Sequence, residues 1–364
     1  MSQRSDRDGM PRPSVEVVID SVAYGGAGVG RVDGKVYFVP FTLPGERVLV
    51  RPVRSQKRFC EARLLNVLEA SPLRKEAPCA LFSVCGGCAY QHVGYASQLK
   101  WKKDQVADLF RRIARIEDPP MEDTVASPLE WAYRNRIRVH VRDGLVGFFK
   151  RDSSELVEVD RCLLAQDEVN TALAKLRRGR PPSGERTLSI RPGVRFFEQT
   201  NDGAAAALLH VVEESVGDGA ETLVDAYSGA GFFARSLSGR FKNVIGIESH
   251  GPAVEAARRE GGANERYICS DVAVALGDVL SGITRDAAVV LLDPPAIGLA
   301  SRVVEMLVAL PVQRIVYVSC DPATQARDVA ALVKGGYQLV RIVPVDMFPQ
   351  TADVEVVVLL ELRG

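Results

Sequence analysis

Residues Ile315 to Arg327 read IVYVSCDPATQAR. An apolar run ends at Cys320, and Asp321-Pro322 then turns the chain into a helix-like segment. A strand feeding a helix places the thiol at the carboxyl end of a sheet, where open α/β folds keep their chemistry. The helix N-terminus there is expected to favour thiolate over thiol. A buried structural cysteine is the plain alternative, since cysteine is often found inside proteins. The surrounding sequence decides between the two.

Around this stretch, from about Gly203, the grammar is strand, helix, strand, helix. Strands are expected at Thr222–Asp225, Asn243–Ile247, Ala288–Leu292, Arg314–Ser319 and Glu355–Leu360, and helices at Ala205–Glu214, Gly231–Leu237, Pro252–Glu260, Ser301–Ala309 and Pro322–Lys334. Such alternation implies a parallel sheet covered on both faces. The first strand runs into Asp225-Ala226-Tyr227-Ser228-Gly229-Ala230-Gly231-Phe232. Small residues such as Gly229 let a ligand approach the backbone, and the next helix N-terminus can hold a carboxylate. Glu248, at the end of the next strand, can accept from both hydroxyls of a ribose. Ala234 stands where a dinucleotide fingerprint has its third glycine, which favours S-adenosylmethionine over NAD. In LLDPPAIGL, Asp293 ends another buried strand, and Pro294-Pro295 stiffens the following loop. Ala296 occupies the position where amino-methylating enzymes carry a stacking aromatic.

Upstream, Val15–Ile19, Val36–Val39, Arg47–Val53 and Cys60–Val67 are short β-rich runs between Gly- or Pro-bearing turns. They fit a small barrel of OB type. Arg51, Arg54, Lys57 and Arg58, with Tyr24, Tyr37, Phe38 and Phe59 as stacking platforms, suit single-stranded nucleic acid. Cys79, Cys85 and Cys88 are closely spaced thiols of the kind that hold a metal or cluster, and Cys162 is the candidate fourth ligand. Spacing alone leaves zinc and iron–sulfur open. Cys60 and Cys269 sit in apolar, strand-like contexts and read as core. Gln98 to Ile116 is an amphipathic helix, with Leu99, Val106, Leu109, Phe110 and Ile113 on its apolar face. Antiparallel strands with a turn at Asp143-Gly144 follow, and Arg134, Arg136, Arg138 and Arg142 alternate along them.

With 46% hydrophobic and 25% charged residues, the 364-residue chain can bury a sizeable core. No stretch approaches the ~18 uncharged apolar residues of a membrane span, and the polar N-terminus lacks the apolar segment of a secretory signal. A cytoplasmic protein without a membrane role is expected. Net charge is zero, but residues 1–162 hold 26 Lys and Arg against 21 Asp and Glu, so the N-terminal half is where a polyanion would bind.

One further pair carries chemistry. Uracil C5 is a poor nucleophile until a thiolate adds at C6 and makes it enolate-like. The C5 proton must then leave to a base. Cys320, and Glu355 in DMFPQTADVEVVVLL, supply both groups if their strands are adjacent. FFEQTN, DAYSGAGFFA, LLDPP, SCDPAT and FPQTADVE together resemble the RNA 5-methyluridine methyltransferase family. CALFSVCGGCAYQH resembles that family's [4Fe–4S] motif, and the N-terminal segment resembles a TRAM domain, an RNA-binding module.

The resemblance implies an α/β fold: a Rossmann-like S-adenosylmethionine methyltransferase domain (201–364), preceded by an OB-like TRAM barrel (14–72) and a central iron–sulfur α+β domain (73–200), after a disordered lead (1–13). Helix 98–116 is expected to pack on the catalytic domain. Cys320 is then the nucleophile and Glu355 the base, with Gln199, Tyr227, Gly229, Glu248 and Asp293 around the methyl donor. Cys79, Cys85, Cys88 and Cys162 would ligate the cluster. The RNA partner leans to 23S rRNA over tRNA by analogy with TRAM-bearing relatives, and a monomer without an obligate protein partner is expected.

The chain departs from the family pattern at Asp321 (usually Asn), Asp353 (usually His), Ala296 (usually Arg) and Phe232 (Asn in some relatives). An ionised Asp321 would raise the pKa of Cys320. RNA cytosine-5 methyltransferases place a second cysteine where this chain has DPPA, which disfavours that reading. A non-catalytic RNA-binding protein would not need both Cys320 and Glu355, and a radical enzyme would leave one iron without a thiolate.

Overall fold

The computed structural model describes residues 13–179, 181–191 and 199–363. These described residues divide into two compact units, one running to residue 94 and including 350–352, and the other made of the described residues from 95 to 349 and from 353 onward.

In the first unit, β1 (Val15–Val22), β2 (Ala27–Val32), β3 (Lys35–Pro40), β4 (Arg47–Ser55) and β5 (Phe59–Glu69) close a barrel in the order β1-β2-β3-β5-β4. Alternate residues point inward, and Val17, Ile19, Val39, Val48, Val50 and Cys60 fill the interior. Parallel pairing of β3 with β5 completes the closure and removes both sheet edges. Tyr37, expected as a stacking platform, is a core residue of this barrel.

The second unit begins with α1 (Tyr95–Leu109), which widens into a π-helical turn, Phe110–Ala114, and stops at Arg115 with φ 61°. The wider turn shifts the helical register. Val106, Leu109 and Phe110 are buried as expected, whereas Ile113 faces solvent at 38% exposure. Helix Gln98–Ile116 was expected to be apolar inside, yet Gln98, Lys102 and Gln105 are all buried. A four-stranded antiparallel sheet, order β8-β7-β6-β9, comprises β6 (Arg136–Arg142), β7 (Leu145–Phe149), β8 (Leu156–Glu158) and β9 (Gly184–Ser189), with α2 (Asp167–Arg178) between β8 and β9 in sequence. Asp143 and Gly144 form its first turn with φ of 52° and 81°.

The α/β part contains α3 (Asp202–Val216), β10 (Thr222–Ala226), α4 (Phe232–Leu237), β11 (Asn243–Glu248), α5 (Gly251–Glu260), β12 (Glu265–Cys269), α6 (Val272–Ser281), β13 (Ala288–Leu292), α7 (Ser301–Ala309), β14 (Arg314–Ser319), α8 (Pro322–Lys334), β15 (Tyr337–Val345) and β16 (Glu355–Leu362). The strand order is β12-β11-β10-β13-β14-β16-β15. All strands from β12 to β14 run parallel, but β16 is antiparallel to both β14 and β15. An all-parallel sheet was expected. No crossover helix joins β15 to β16, and a short loop can only reverse the chain. Cys269 ends the edge strand β12 and is exposed, so it is not the core residue that its context suggested.

Three side chains hold the loop that reverses the chain. Lys102 Nζ donates to Asp346 Oδ1 at 2.6 Å, both side chains fully buried, and also to Phe348 O at 3.2 Å. Tyr133 Oη donates to Pro349 O at 2.9 Å, and Asn201 Nδ2 to Met347 O at 3.1 Å. Burial pulls the Lys102 ammonium below its usual range while the Asp346 carboxylate acts against that pull. Removing one partner of a buried pair leaves an uncompensated charge, at a cost of about 3–5 kcal/mol. Lys102→Met should therefore lower unfolding free energy in urea by about that amount. Lys100→Met, which loses only an exposed pair with Asp104, should change it by less than about 0.5 kcal/mol.

Candidate active site

The register Ser319↔Val356 of β14 and β16 places the next pair, Cys320 and Glu355, side by side at the sheet's end. Gln325, fully buried one turn into α8, locks the pairing: its Nε2 donates to Tyr317 O at 2.8 Å and to Val356 O at 3.0 Å. Sequence reasoning passed over Gln325. The available signal was a polar side chain at an inward position of the helix that follows the thiol.

Cys320 is exposed and Glu355 buried. Although the residue is exposed, partial desolvation among its neighbours pushes the Cys320 thiol up to about 11, Glu355, Asp293 and, least, Asp321 add to the shift, and the residue's own backbone N–H acts against it. The expected thiolate-favouring helix terminus is therefore overruled. Asp321 is the N-cap of α8, and its Oδ1 accepts from Ala323 N at 2.9 Å and Thr324 N at 3.0 Å. The amides that would have favoured the thiolate are spent on a carboxylate that disfavours it. Burial raises Glu355 to about 8, with Asp293 and Asp353 contributing, and burial raises Asp293 to about 7.

Around the β10 carboxyl end, Tyr227, Gly229 and Gly231 have φ of 69°, 53° and 83°. A Cβ on Gly231 would lie 2.5 Å from the Tyr267 hydroxyl, so glycine is required there, whereas a Cβ on Gly229 would meet nothing within 4 Å. Glu248 ties this turn to β11: Oε2 accepts from Gly229 N at 3.1 Å and Oε1 from His250 N at 2.6 Å. Asp225, fully buried, accepts from Ala234 N through Oδ2 at 2.9 Å. Its carboxyl is raised to about 8 by burial, against the Ala234 N–H, with Asp293 and Glu248 adding to the rise. Asp225 Oδ1, Ser228 Oγ and Gln199 Oε1 are buried with no hydrogen-bond partner. Asn135 Nδ2 donates to Gln199 O at 2.9 Å and orients the chain there. Buried polar atoms are nearly always satisfied, so the unpartnered Asp225 Oδ1 and Ser228 Oγ, in the turn that carries the open Gly229 and is tied to Glu248, fit a polar, nucleoside-bearing ligand. No basic side chain acts to lower Cys320, Glu355, Asp225 or Asp293, and a cationic ligand beside them would lower these values.

In the first unit, Cys79, Cys85 and Cys88 are partly buried. Gly87 N donates to Cys85 Sγ at 3.5 Å, and Cys79 N donates to Gln91 Oε1 at 3.2 Å. Cys162, in the second unit, is partly buried, and its N–H donates to Asn170 Oδ1 at 2.8 Å. Among the described residues, no group of three or more His, Cys, Asp or Glu is arranged to hold a metal ion.

Comparison with known proteins gives the family. Residues 280–363 match the tRNA (uracil-5-)-methyltransferase family model, and residues 10–65 match the TRAM domain. An RNA methyltransferase of Bdellovibrio bacteriovorus is 32% identical, the alignment covering 100% of this chain and 99% of that one. The chain belongs to the RNA (uracil-5-)-methyltransferase family. An RNA methyltransferase of Gloeobacter violaceus is 30% identical over 96% of each chain. The crystal structure of Pyrococcus abyssi tRNA (uracil-54, C5)-methyltransferase in complex with S-adenosyl-L-homocysteine aligns with a TM-score of 0.71 and 25% identity, over 95% of this chain and 99% of that one. The chain is an S-adenosylmethionine-dependent RNA methyltransferase whose TRAM barrel precedes the α/β domain. Among the described residues, no helix is long and apolar enough to cross a membrane.

The Glu355 carboxyl is predicted to act on stability in one direction only. In the folded chain it stays protonated to about 8, whereas unfolded it ionises near the ordinary glutamate value of 4.5. Its contribution to stability is full below the unfolded value and is lost as pH rises toward 8. Glu355→Gln should therefore gain on the wild type, by a few kcal/mol at most, as pH rises from about 4.5 to 8, with no further gain above. Urea melts of both proteins at stepped pH check this.

Proposed function

We propose that this protein methylates C5 of a uridine in RNA, through a covalent bond between Cys320 and C6. The observation that carries the proposal is the β14–β16 register, which sets an exposed thiol beside a buried carboxyl. Cys320 adds to C6 as thiolate and gives C5 carbanion character. Gln199, Tyr227, Gly229, Glu248 and Asp293 would hold S-adenosylmethionine, whose sulfonium would give its methyl group to C5 as the methyl carbon–sulfur bond breaks and S-adenosyl-L-homocysteine leaves. Glu355, ionised, takes the C5 proton, and the electron pair of that C–H bond restores the C5–C6 double bond as Cys320 leaves. With the thiol at about 11 and Glu355 at about 8, both groups start protonated at neutral pH. Both must ionise for turnover, and positive charge brought beside them favours that.

Two substrate readings each have support. The TRAM module together with the complete cysteine motif leans the reading to 23S rRNA by analogy. The matching family model and the Pyrococcus abyssi enzyme are both named for tRNA, and they favour a tRNA uridine equally well. Mapping 5-methyluridine by mass spectrometry in rRNA and tRNA, from cells with and without the gene, separates the two. One site should vanish with the gene, return with the wild-type gene and stay absent with Cys320→Ala. Restoration by Cys320→Ala would remove Cys320 as nucleophile, and an unchanged 5-methyluridine map would overturn the whole reading.

We further propose that Cys79, Cys85 and Cys88, with Cys162 as the fourth thiolate named by the sequence, ligate a [4Fe–4S] cluster. Their spacing and the Gly87 N–H directed at Cys85 Sγ support this reading. The methylation chemistry makes no use of it. Iron and acid-labile sulfide should each approach four per chain in protein purified without oxygen, with four the number for a [4Fe–4S] cluster. Zinc at one per chain without iron would contradict the cluster.

A further inference from the structure

Ile297 is 77% exposed, more than any other large hydrophobic side chain among the described residues. A single exposed aliphatic residue is ordinary on a protein surface, but this one stands on a fastened loop. Thr324 Oγ1 donates to Ala296 O at 2.9 Å, Arg327 Nη2 to Ile297 O at 3.1 Å, and Leu299 N to the buried Asp328 Oδ2 at 2.8 Å. Gly298 closes the turn at φ 79°, and a Cβ there would lie 2.5 Å from Asp328 Oδ2. Asp328 is itself fixed by the buried Tyr317 hydroxyl at 2.9 Å. Thr324 Oγ1 also lies 3.1 Å from Asp321 O, so one hydroxyl links the residue after Cys320 to the residue before Ile297. The loop is thus tied through Thr324 to the residue after the proposed nucleophile, and the Ile297 side chain stands exposed on it. Leu299, two residues on, is buried under the same loop at 6% exposure.

A thiolate reaches C6 from above or below the uracil plane. Both faces of a stacked base are covered, so the uridine must leave its stack before Cys320 can attack. The space it leaves is walled by the apolar faces of its neighbours, and proteins fill such gaps with aliphatic or aromatic wedges. We propose that Ile297 is this wedge: it enters the base stack beside the target uridine and keeps it open while the uridine lies against Cys320 and Glu355. The proposal rests on the reading of the site as a uridine methylase. It makes Ile297 a residue that contacts RNA without taking part in bond making, and it predicts that the contribution depends on the stack.

The test uses the full chain and a synthetic RNA segment carrying the uridine mapped above, in its native fold and with the 5′ or the 3′ neighbour of the uridine replaced in turn by an abasic site. Ile297→Ala should lose about tenfold or more in kcat/KM on the native segment, as expected when a few kcal/mol of base unstacking is no longer offset by the wedge. It should return to near the wild-type value on at least one abasic segment, and Ile297→Leu should stay near wild type on all. Equal activity of Ile297→Ala and wild type on the native segment overturns the wedge, as does an equal loss on every segment. Matching urea midpoints show that the variants fold. Should the wild type itself methylate no uridine, the parent reading falls, an outcome seen before any Ile297 variant is assayed.

Discussion

The structure depends on one strand pairing. β16 runs antiparallel to β14, and their first residues beyond the Ser319↔Val356 pair are Cys320 and Glu355. A parallel strand would have carried Glu355, its first residue, to the opposite end of the sheet. The reversal is enforced from several sides. Gln325 bridges the backbones of the two strands, and the loop before β16 is held by Lys102, Tyr133 and Asn201. Lys102 belongs to α1 and Tyr133 to the segment before β6, so residues outside the α/β sheet fix the approach of the candidate base.

That pairing creates an electrostatic problem that the protein leaves in place. Glu355, Asp293 and Asp225 are raised to about 8, 7 and 8, and the thiol to about 11, with no basic side chain among the causes. Asp321 deepens the problem, because its carboxylate takes the Ala323 and Thr324 amides at the start of α8. In the proposed mechanism these groups are poised to ionise when positive charge arrives, so that nucleophile and base become competent together with the donor. A neutral residue at 321 would still cap the helix if it were asparagine, but would remove one of the charges that hold the thiol up.

Much of this was legible in the sequence, and the failures have physical causes. SCDPAT at a strand–helix junction and VEVVVLL as an apolar run pointed to Cys320 and Glu355 because both lie on strongly patterned elements. The orientation of β16 was not legible, since a buried strand reads the same in either direction. The edge strand β12, ERYIC, carries Glu265 and Arg266 and lacks a buried strand's signature, and the α6 start VAVALG is apolar all round. Cys269 was misplaced with β12, an edge being more exposed than its composition suggests. The π-helical turn that turns Ile113 outward leaves no trace in residue spacing. Buried Lys102 could not be foreseen, because its partner Asp346 lies 244 residues away.

The central claim is that Glu355 takes the C5 proton of a uridine held covalently by Cys320. The most direct measurement is a single turnover on RNA bearing tritium at uracil C5 and a carbon-14 methyl group on the donor. Wild type should release tritium to water as it transfers methyl, and free the RNA. Glu355→Gln should transfer the methyl group, retain the tritium and leave the RNA bound through Cys320 in a band that survives denaturation. Release of tritium by Glu355→Gln at the wild-type rate, without such a band, would contradict the account.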